Sequence, residues 1–381
     1  MSIVKERKQY YLQRREENEK GIVKGIPWGL VFPKLGSILP VIPPGYQMMI
    51  TAGSGIGKTQ TWIGLVLYAI YKIKKEHPEV KLKVKLIIAL LEDTKEMFID
   101  RLYSMLLFEK YKVVIDGFTL QSFTKNSLDS KYIPMLDEVE KDIEMLLSDC
   151  EIIDSVYNPT GIYKACRSIS NKYGTHHFVD KEFVREDKNT YMEKVYSHYE
   201  QHDPELQFLL IVDNLNNLAQ EAKDGRLMTQ LETINMWSRN YCRLQIAKHW
   251  RFSILNLLQQ TPTSEQQQFT YKGDTIIDKI KPSLDGLGNS KECQRDHFII
   301  LGIFAPDRFG IAKYPEDIGY DISIMRDNFR SLIVLKSNLS RSNVEIPFYF
   351  DGGASILREL PPPSEMKDIY TKIRNKTIYT G

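Results

Sequence analysis

The sequence predicts an α/β fold in which a largely parallel central sheet is flanked by helices. Apolar runs typical of buried strands recur along the chain and alternate with helical patterns, which favours βαβ units. Most of these runs are apolar without interruption, as expected for parallel strands that are covered on both faces. The five clearest runs are Met48–Ile50, Lys81–Leu91, Leu206–Val212, Phe252–Leu258 and Phe298–Phe304.

The stretch Met48–Thr61, MMITAGSGIGKTQT, has the order of a strand, a glycine-rich loop and a helix start. Glycines allow positive φ angles and a close approach to an anion, and the free amides of a helix N-terminus favour phosphate. The stretch matches a relaxed phosphate-binding loop (P-loop), because Ala52 stands where the strict motif has glycine. We therefore predict a nucleoside triphosphate site, with Lys58 on the β- and γ-phosphates and Thr59 as a ligand of Mg²⁺. The residues expected to bind the nucleotide are Gly53, Ser54, Gly55, Ile56, Gly57, Lys58, Thr59 and Gln60.

The composition is that of an ordinary globular protein, with 381 residues of which 42% are hydrophobic and 26% charged. A net charge of +2 means that any nucleic-acid binding must be local. The four cysteines lie far apart without a CxxC pair, so we expect reduced thiols and not disulfides or a zinc site. The sequence contains no apolar run of about 18 residues and no signal-peptide pattern. We therefore expect a cytoplasmic protein with no membrane partner.

Three of the predicted strands are followed by a carboxylate or an amide, at the edge where open α/β sheets bind ligands. Glu92 follows the second apolar run, and we favour a general base there over a solvated strand-end carboxylate. Asp213 follows the third run and is expected to support Mg²⁺. Gln259 follows the fourth run, where its amide either senses the γ-phosphate or is merely solvated.

The remaining segments suggest one domain with additions. We predict a charged N-terminal arm at residues 1–24, a nucleotide-binding domain at 25–360 and a tail at 361–381. The arm is an exposed helix that either docks on a neighbouring subunit or remains a solvated tail. A polar insertion at about 175–205 holds four histidines, which we expect to be surface residues because their spacing is not that of metal ligands.

Local patterns give more detailed expectations. Asp93-x-x-Glu96 indicates a capping box at the start of a helix, and Glu345–Phe350 is predicted as an edge strand. Polar loops are expected at 219–228 and 261–296. Further helices are predicted at Thr59–Lys75, Ile133–Leu147, Ile162–Lys172 and Leu231–Lys248, and further strands at Cys150–Val156 and Ser331–Leu335.

Several blocks together resemble the motor domain of hexameric replicative helicases of the DnaB type. They are GIPWG, LPVIPPGYQMMITAGSGIGKT, ALLEDTKEMFIDRLYSM, LLIVDNLNNL, LNLLQQ, GNSKECQRDHFIILGIF and LIVLKSNLSRSNVEIPFYFDG, and they follow one another over residues 25–355. The resemblance implies a RecA-like P-loop NTPase fold, with Glu92 as catalytic glutamate, Asp213 on the Walker B strand and Gln259 at the γ-phosphate. Similar blocks occur in RecA-like recombinases and in ring-forming circadian-clock-type ATPases.

The resemblance further implies an ATP- and Mg²⁺-dependent DNA helicase or translocase that acts in replication as a homohexameric ring with replication partners. Single-stranded DNA would face loops 219–228 and 261–290. The candidate contacts are Lys279 and Lys281 in the second loop and Lys291 and Arg295 directly after it. Two other functions stay open. One is a RecA/RadA-like recombination or annealing ATPase, and the other is an ATP-binding assembly protein with little turnover.

Two features depart from the resembling family. Only the charged arm stands where the family has a separate N-terminal helical domain. The family's Lys-x-Arg, whose arginine acts on a neighbour's ATP, is here Lys336-Ser337-Asn338. Arg341 lies three residues later and is either its substitute, acting as a catalytic residue in trans, or a solvated loop arginine.

Overall fold

The computed structural model describes residues 2–123, 128–185, 189–261, 270–271, 274–275, 280–287, 291–315 and 319–375. The centre of the fold is a nine-stranded sheet with the order β9-β8-β7-β6-β1-β5-β4-β2-β3. In chain order these strands are β1 (Gln47–Ala52), β2 (Val84–Leu90), β3 (Cys150–Ile153), β4 (Gln207–Asp213), β5 (Ser253–Gln259), β6 (Ile299–Phe304), β7 (Phe329–Ser337), β8 (Val344–Asp351) and β9 (Ile356–Glu359).

The sheet is largely parallel, as predicted. The strands β6, β1, β5, β4, β2 and β3 are parallel neighbours, and β7, β8 and β9 continue the sheet in antiparallel pairing. The prediction of Glu345–Phe350 as an edge strand is wrong, because β9 pairs with β8 on its outer side. The chain returns after Asp351 through a turn at residues 352–355, and Ile356 then pairs with Asp351.

Helices cover both faces of the sheet, which explains the uninterrupted apolar runs. On β1, Met48 and Ile50 pack into one hydrophobic cluster with Trp62, whereas Met49 packs into a second cluster with Trp237. The helices are α1 (Ile3–Glu19), α2 (Pro33–Ile38), α3 (Lys58–Trp62, continued by Ile63–Tyr68 and Ala69–Glu76), α4 (Lys95–Tyr111), α5 (Gly117–Leu120), α6 (Ile133–Leu147), α7 (Pro159–Tyr173), α8 (Gln230–Met236, continued by Trp237–Ala247), α9 (Lys291–Asp296), α10 (Ile322–Met325) and α11 (Lys367–Arg374).

The predicted insertion is a long β-hairpin between α7 and β4. Its strands, Gly174–Val184 and Thr190–Gln201, pair with each other and not with the central sheet. The base of the hairpin is anchored, because the Tyr199 hydroxyl donates to the carbonyl of Ser170 at 2.9 Å and its ring packs against Phe252. The outer part is solvated, with Val184 and Met192 more than half exposed.

The N-terminal segments differ in how they meet the core. Helix α1 buries none of its residues, which fits both interpretations of the charged arm. Residues 21–46, the lead-in to β1, pack against the core, since Trp28 is buried and its indole Nε1 donates to the carbonyl of Leu65 at 2.8 Å. Short strands at Ile26–Pro27 and Val41–Ile42 pair across it.

The predicted capping box at Asp93 and Glu96 is wrong by one residue. Thr94 is the N-cap of α4, and its side chain accepts from the backbone N–H of Met97. The carboxylate of Asp93 is instead paired with the guanidinium of Arg101, at 2.9 Å. The side chain of Asp93 is thus bound by an arginine two helical turns later, and Thr94 caps the helix in its place.

Two further predictions concern the polar loops and the cysteines. Loop 219–228 contains a small hairpin, Ala222–Lys223 with Arg226–Leu227, and most of 261–290, including Lys279, lies outside the described residues. All four cysteines are free, as predicted. None of the helices in the described ranges has the length and apolar character needed to cross a membrane.

Candidate nucleotide-binding site

Four neighbouring strands bring the predicted site residues to one edge of the sheet. The order β1-β5-β4-β2 places Ala52 beside Gln259 and Asp213 beside Leu90. Because these strands are parallel, the P-loop, Gln259, Asp213 and Glu92 all follow carboxyl ends at the same edge. This is where open α/β sheets bind ligands.

The P-loop depends on two of its glycines. Gly55 and Gly57 have φ angles of +66° and +102°, a region that other residues rarely adopt. A Cβ atom on Gly57 would lie 2.5 Å from the ring of Phe350, and one on Gly55 would lie 2.9 Å from the guanidinium of Arg308. The positive φ angle disfavours a side chain at both positions, and at Gly57 the ring of Phe350 also leaves no room for one. Helix α3 begins directly after the turn at Gly57.

Lys58 is folded back against the loop that precedes it. Its side chain is buried, and Nζ donates to the carbonyl of Gly53 at 2.9 Å and more weakly to that of Ala52 at 3.4 Å. These bonds hold the cation against the carbonyl groups at the start of the loop. A phosphate that enters the loop therefore meets a positive charge and the amide groups of a helix start.

Asp213 is the buried acid of the site. Its Oδ2 accepts from the indole Nε1 of Trp62 at 2.8 Å, whereas its buried Oδ1 has no hydrogen-bond partner. Burial raises the pKa of Asp213 to about 6, although the bond from Trp62 and the nearby Thr59 hydroxyl favour the charged form. An unsatisfied carboxylate oxygen beside the Thr59 hydroxyl is a donor set that suits Mg²⁺. The residues present therefore fit the metal, which Thr59 and Asp213 would hold.

A chain of asparagines joins the ends of three strands. The Asn214 amide donates to Glu92 Oε2 at 2.7 Å, and its Oδ1 accepts from the backbone of Asn216 at 2.8 Å. Asn216 Oδ1 in turn accepts from the backbone N–H of Gln259 at 2.8 Å. Glu92 is otherwise exposed to solvent, so this contact orients a carboxylate that remains accessible to water. Neither asparagine was predicted as a site residue, although both follow the aspartate in LLIVDNLNNL.

The two glutamines at the end of β5 have different environments. Gln260 is buried, its backbone N–H bonds to the carbonyl of Ala52 at 2.9 Å, and its side chain bonds to the carbonyl of Ser283 at 3.2 Å. Gln259 is half-buried, and it pairs with Ala52 at the end of β1, the strand that leads into the P-loop. Gln260 thus belongs to the packing of the site, and Gln259 remains the residue predicted to sense the γ-phosphate.

Two arginines that were not predicted as site residues bind the outer side of the P-loop. Arg308 donates to the carbonyls of Ser54 and Gly55, both at 2.5 Å. Arg330 is buried, donates to the carbonyl of Ile56 at 2.9 Å and packs on the ring of Phe350. No sequence motif marks these two arginines. Arg308 follows β6 and Arg330 lies on β7, so both are far from the P-loop in sequence.

Arg341 lies at the other end of the sheet. It is exposed on the turn between β7 and β8, and β7 runs antiparallel to β6, away from the P-loop edge. A strand of 9 residues is about 30 Å long. Arg341 is therefore too distant to reach the P-loop of its own chain, and any action on a phosphate must be on that of another chain.

The raised pKa of Asp213 predicts a pH-dependent stability difference. Its pKa is about 6 in the folded protein and ordinarily 3.8, so the folded state binds more protons between these values and loses stability as pH rises through them. Without metal or nucleotide, Asp213→Asn is expected to raise the free energy of unfolding by about 3 kcal/mol at pH above 6. The gain should vanish below pH 4. Urea unfolding at both ends of this window measures it.

The control is Asp137→Asn, which changes an exposed aspartate on α6. It should alter the free energy of unfolding by less than about 0.5 kcal/mol at either pH. An Asp213→Asn protein that is no more stable than the parent at neutral pH would contradict the interpretation of Asp213 as a strained buried acid.

Fold and loop together define a RecA-like P-loop NTPase fold. Two solved structures are similar over nearly the whole chain, each with a TM-score of 0.62 and 16% identity. One is the ATPase domain of G40P, where the match covers 94% of this chain and 99% of that one. The other is a DnaB-like replicative helicase, described with its interactions with primase, where it covers 93% and 66%. The predicted likeness to DnaB-type motor domains is thus confirmed at the level of the fold.

A KaiC-like protein from Pyrococcus horikoshii also matches, with a TM-score of 0.41 and 13% identity over 89% of this chain and 98% of that one. No protein-family model matches the sequence, and neither does any curated protein.

Proposed function

We propose that this chain is a Mg²⁺-dependent ATPase that drives a helicase or translocase on single-stranded DNA. The observation that carries the ATPase proposal is the buried Oδ1 of Asp213, which lacks a partner and lies beside Thr59 and the P-loop. A buried acceptor without a partner costs free energy, so a cation that binds there relieves an existing strain. Mg²⁺ would supply charge neutralisation on the phosphate oxygens.

The chain's own residues divide the work of hydrolysis. Lys58 and the amides of the P-loop bind the β- and γ-phosphates. Glu92, oriented by Asn214, accepts a proton from the water that attacks the γ-phosphorus, while the bond from that phosphorus to the bridging oxygen breaks and ADP leaves. The chain of hydrogen bonds from Glu92 through Asn214 and Asn216 to Gln259 links the base to β5. Loss of the γ-phosphate at Gln259 would therefore be felt in loop 261–290.

The DNA partner is supported less directly. Of the candidate lysines in loop 261–290, Lys281 is paired with Glu345 at 3.0 Å and packs on Tyr314. This pair reduces the charge that Lys281 can offer to a phosphate. The structurally similar DnaB-like helicase interacts with primase, and a replication partner of this chain belongs to the same proposal.

The test is an ATPase assay with and without single-stranded DNA, together with a mass measurement in ATP. The helicase proposal expects a ring-sized assembly, stimulated hydrolysis and displacement of an annealed strand. Strand pairing without displacement would instead indicate the recombination or annealing activity. Assembly in ATP without steady turnover would instead indicate an ATP-binding assembly protein. The presence of Asn338 where the resembling family has an arginine favours this function. Absence of nucleotide binding would contradict all three.

Arg341 is expected to act on the nucleotide of a neighbouring subunit. Its exposure on a turn, at the end of the sheet opposite its own P-loop, is what a residue acting in trans requires. Arg341→Ala should lower kcat by about a hundredfold or more, because an arginine from a neighbour stabilises charge on the transferring phosphoryl group. Mixing Arg341→Ala with Glu92→Gln subunits should restore part of the activity, because some interfaces then combine two intact halves.

Leu339→Ala is the matched control, since Leu339 is exposed on the same turn without a charge. An undiminished kcat of Arg341→Ala at saturating ATP would show a solvated loop arginine. Arg330 would not replace it, because its guanidinium is already buried against its own P-loop.

A further inference from the structure

A basic cavity lies at the edge of the sheet opposite the P-loop. It has a volume of about 500 Å³ and is formed by the lead-in to β1, the last turns of α8 and the residue before β6. None of its walls belongs to the nucleotide site or to loops 219–228 and 261–290. Its lining residues include Tyr46, Arg239, Arg243, Lys248, Arg251 and Phe298.

The charge of this cavity is not balanced by neighbouring acids. Four of its lining residues are cations, and among the described residues only Arg243 has a carboxylate partner, the buried Asp296 at 2.8 Å. Arg239, Lys248 and Arg251 are exposed and form no ion pair with a described residue. The acids Asp224, Glu232 and Glu292 line a neighbouring cavity that Arg239 also borders, and none of them lines this one.

A fifth cation adds to the excess. Lys336 lies beside Arg243, and its Nζ donates to the carbonyl of Gln294 at 2.9 Å. Burial and the positive charge of Arg243 lower the pKa of Lys336, while Asp296 acts in the opposite direction. An anion entering the cavity would therefore be attracted by several charges that have no counterion of their own.

Three of the four cations follow one another along α8. Arg239 and Arg243 lie one helical turn apart on α8, Lys248 follows at its end and Arg251 lies three residues further on. From Arg239 to Lys248 this row extends on the order of 10 Å along the helix. Such a row exceeds one phosphate group and suits the successive phosphates of a strand. Tyr46 and Phe298, in edge-to-face contact at 4.9 Å, add half-buried aromatic rings at the floor.

We propose that this cavity binds the phosphate backbone of single-stranded nucleic acid, as a contact separate from the loops near the nucleotide site. A positive groove with aromatic rings is the usual way in which proteins bind single strands without sequence preference. The proposal rests on the proposed function, because it names a second contact for the same strand. It requires no net basic charge on the chain, since the excess is local.

The test compares the binding of a fluorescein-labelled oligothymidine by the full chain and by Arg239→Gln/Lys248→Gln, using anisotropy over a range of salt concentrations. Each phosphate contact to a single strand contributes about 0.7 to the slope of log affinity against log salt. The double variant is therefore expected to show a salt dependence whose slope is smaller in magnitude by about 1.4. Its binding at low salt should be weaker by more than about tenfold. Its basal ATPase activity should not change.

The matched control is Lys141→Gln/Lys164→Gln, which removes the same charge from exposed lysines on α6 and α7 that have no ion pair with a described residue. Its salt slope should equal that of the parent. Equal slopes for the parent and the cavity variant would overturn the proposal. A second result would also overturn it: tripolyphosphate binds the parent but not the cavity variant, while the oligonucleotide binds both equally. The cavity would then be a site for a small anion. If the parent had no ATPase activity, the proposed function would be refuted. The comparison of salt slopes would still decide whether the cavity binds single-stranded nucleic acid.

Discussion

Lys58→Ala is expected to abolish nucleotide binding, with the affinity for ATP reduced by at least about a hundredfold. Lys58 is the cation of the P-loop, and its Nζ is held within the loop by the carbonyls of Gly53 and Ala52. Hydrogen bonds to charged groups contribute about 1.5–3 kcal/mol each, so losing two phosphate contacts accounts for this loss. Isothermal titration with ATP, with and without Mg²⁺, measures it.

Two variants separate the effect of charge from that of packing. Lys58→Met keeps the length of the buried side chain and removes only the ammonium, so it should lose ATP binding as fully as Lys58→Ala. Lys95→Ala removes an exposed lysine at the start of α4, near the same edge of the sheet, and should leave the affinity unchanged. Unaltered ATP affinity in both Lys58 variants would refute the P-loop assignment.

Glu92→Gln should bind ATP as well as the parent but hydrolyse it slower by a factor of about 10² to 10⁴. The amide is nearly isosteric, and its oxygen can still accept from Asn214, so the site keeps its structure. What it cannot do is take the proton of the attacking water. A single-turnover measurement of ATP hydrolysis, beside a binding titration, separates the chemical step from binding.

Glu96→Gln is the control, because it neutralises an exposed carboxylate in the first turn of α4, close to Glu92 in sequence. It should hydrolyse ATP at the rate of the parent. If Glu92→Gln also kept a kcat near that of the parent, Glu92 would be a strand-end carboxylate, and the contact from Asn214 would serve only to order the edge of the sheet.

Much of the site is encoded locally in the sequence. The P-loop is contiguous, and its glycines, its lysine and the helix start after Gly57 all lie within one stretch. Glu92, Asp213 and Gln259 each follow an apolar run that must be a buried strand, and parallel strands place their carboxyl ends together. Periodicity also located helices such as Ile133–Leu147 at the residues where they occur. These predictions needed only the neighbours of each residue along the chain.

Contacts between distant segments were decided by the tertiary structure alone. Arg308 and Arg330 bind P-loop carbonyls from more than 250 positions away, with no motif to announce it. In the hairpin, His177 and His198 pair across two strands, and with Glu200 their ligand atoms lie within 4.8 Å of one another. Linear spacing did not suggest such a cluster, and it forms because antiparallel pairing brings residues 21 positions apart face to face.

The basic cavity shows the same division most clearly. Its cations lie on α8 and on the segment after that helix. Its aromatic rings are Tyr46, directly before β1, and Phe298, directly before β6. In the sequence these are ordinary surface charges in a chain of net charge +2. Periodicity and local motifs are enough to specify the strands, the P-loop and the edge of the sheet at which Glu92, Asp213 and Gln259 meet. Which charges are neutralised and which remain without a counterion was decided only by packing, because the distance between two side chains is set by the fold and not by their separation along the chain.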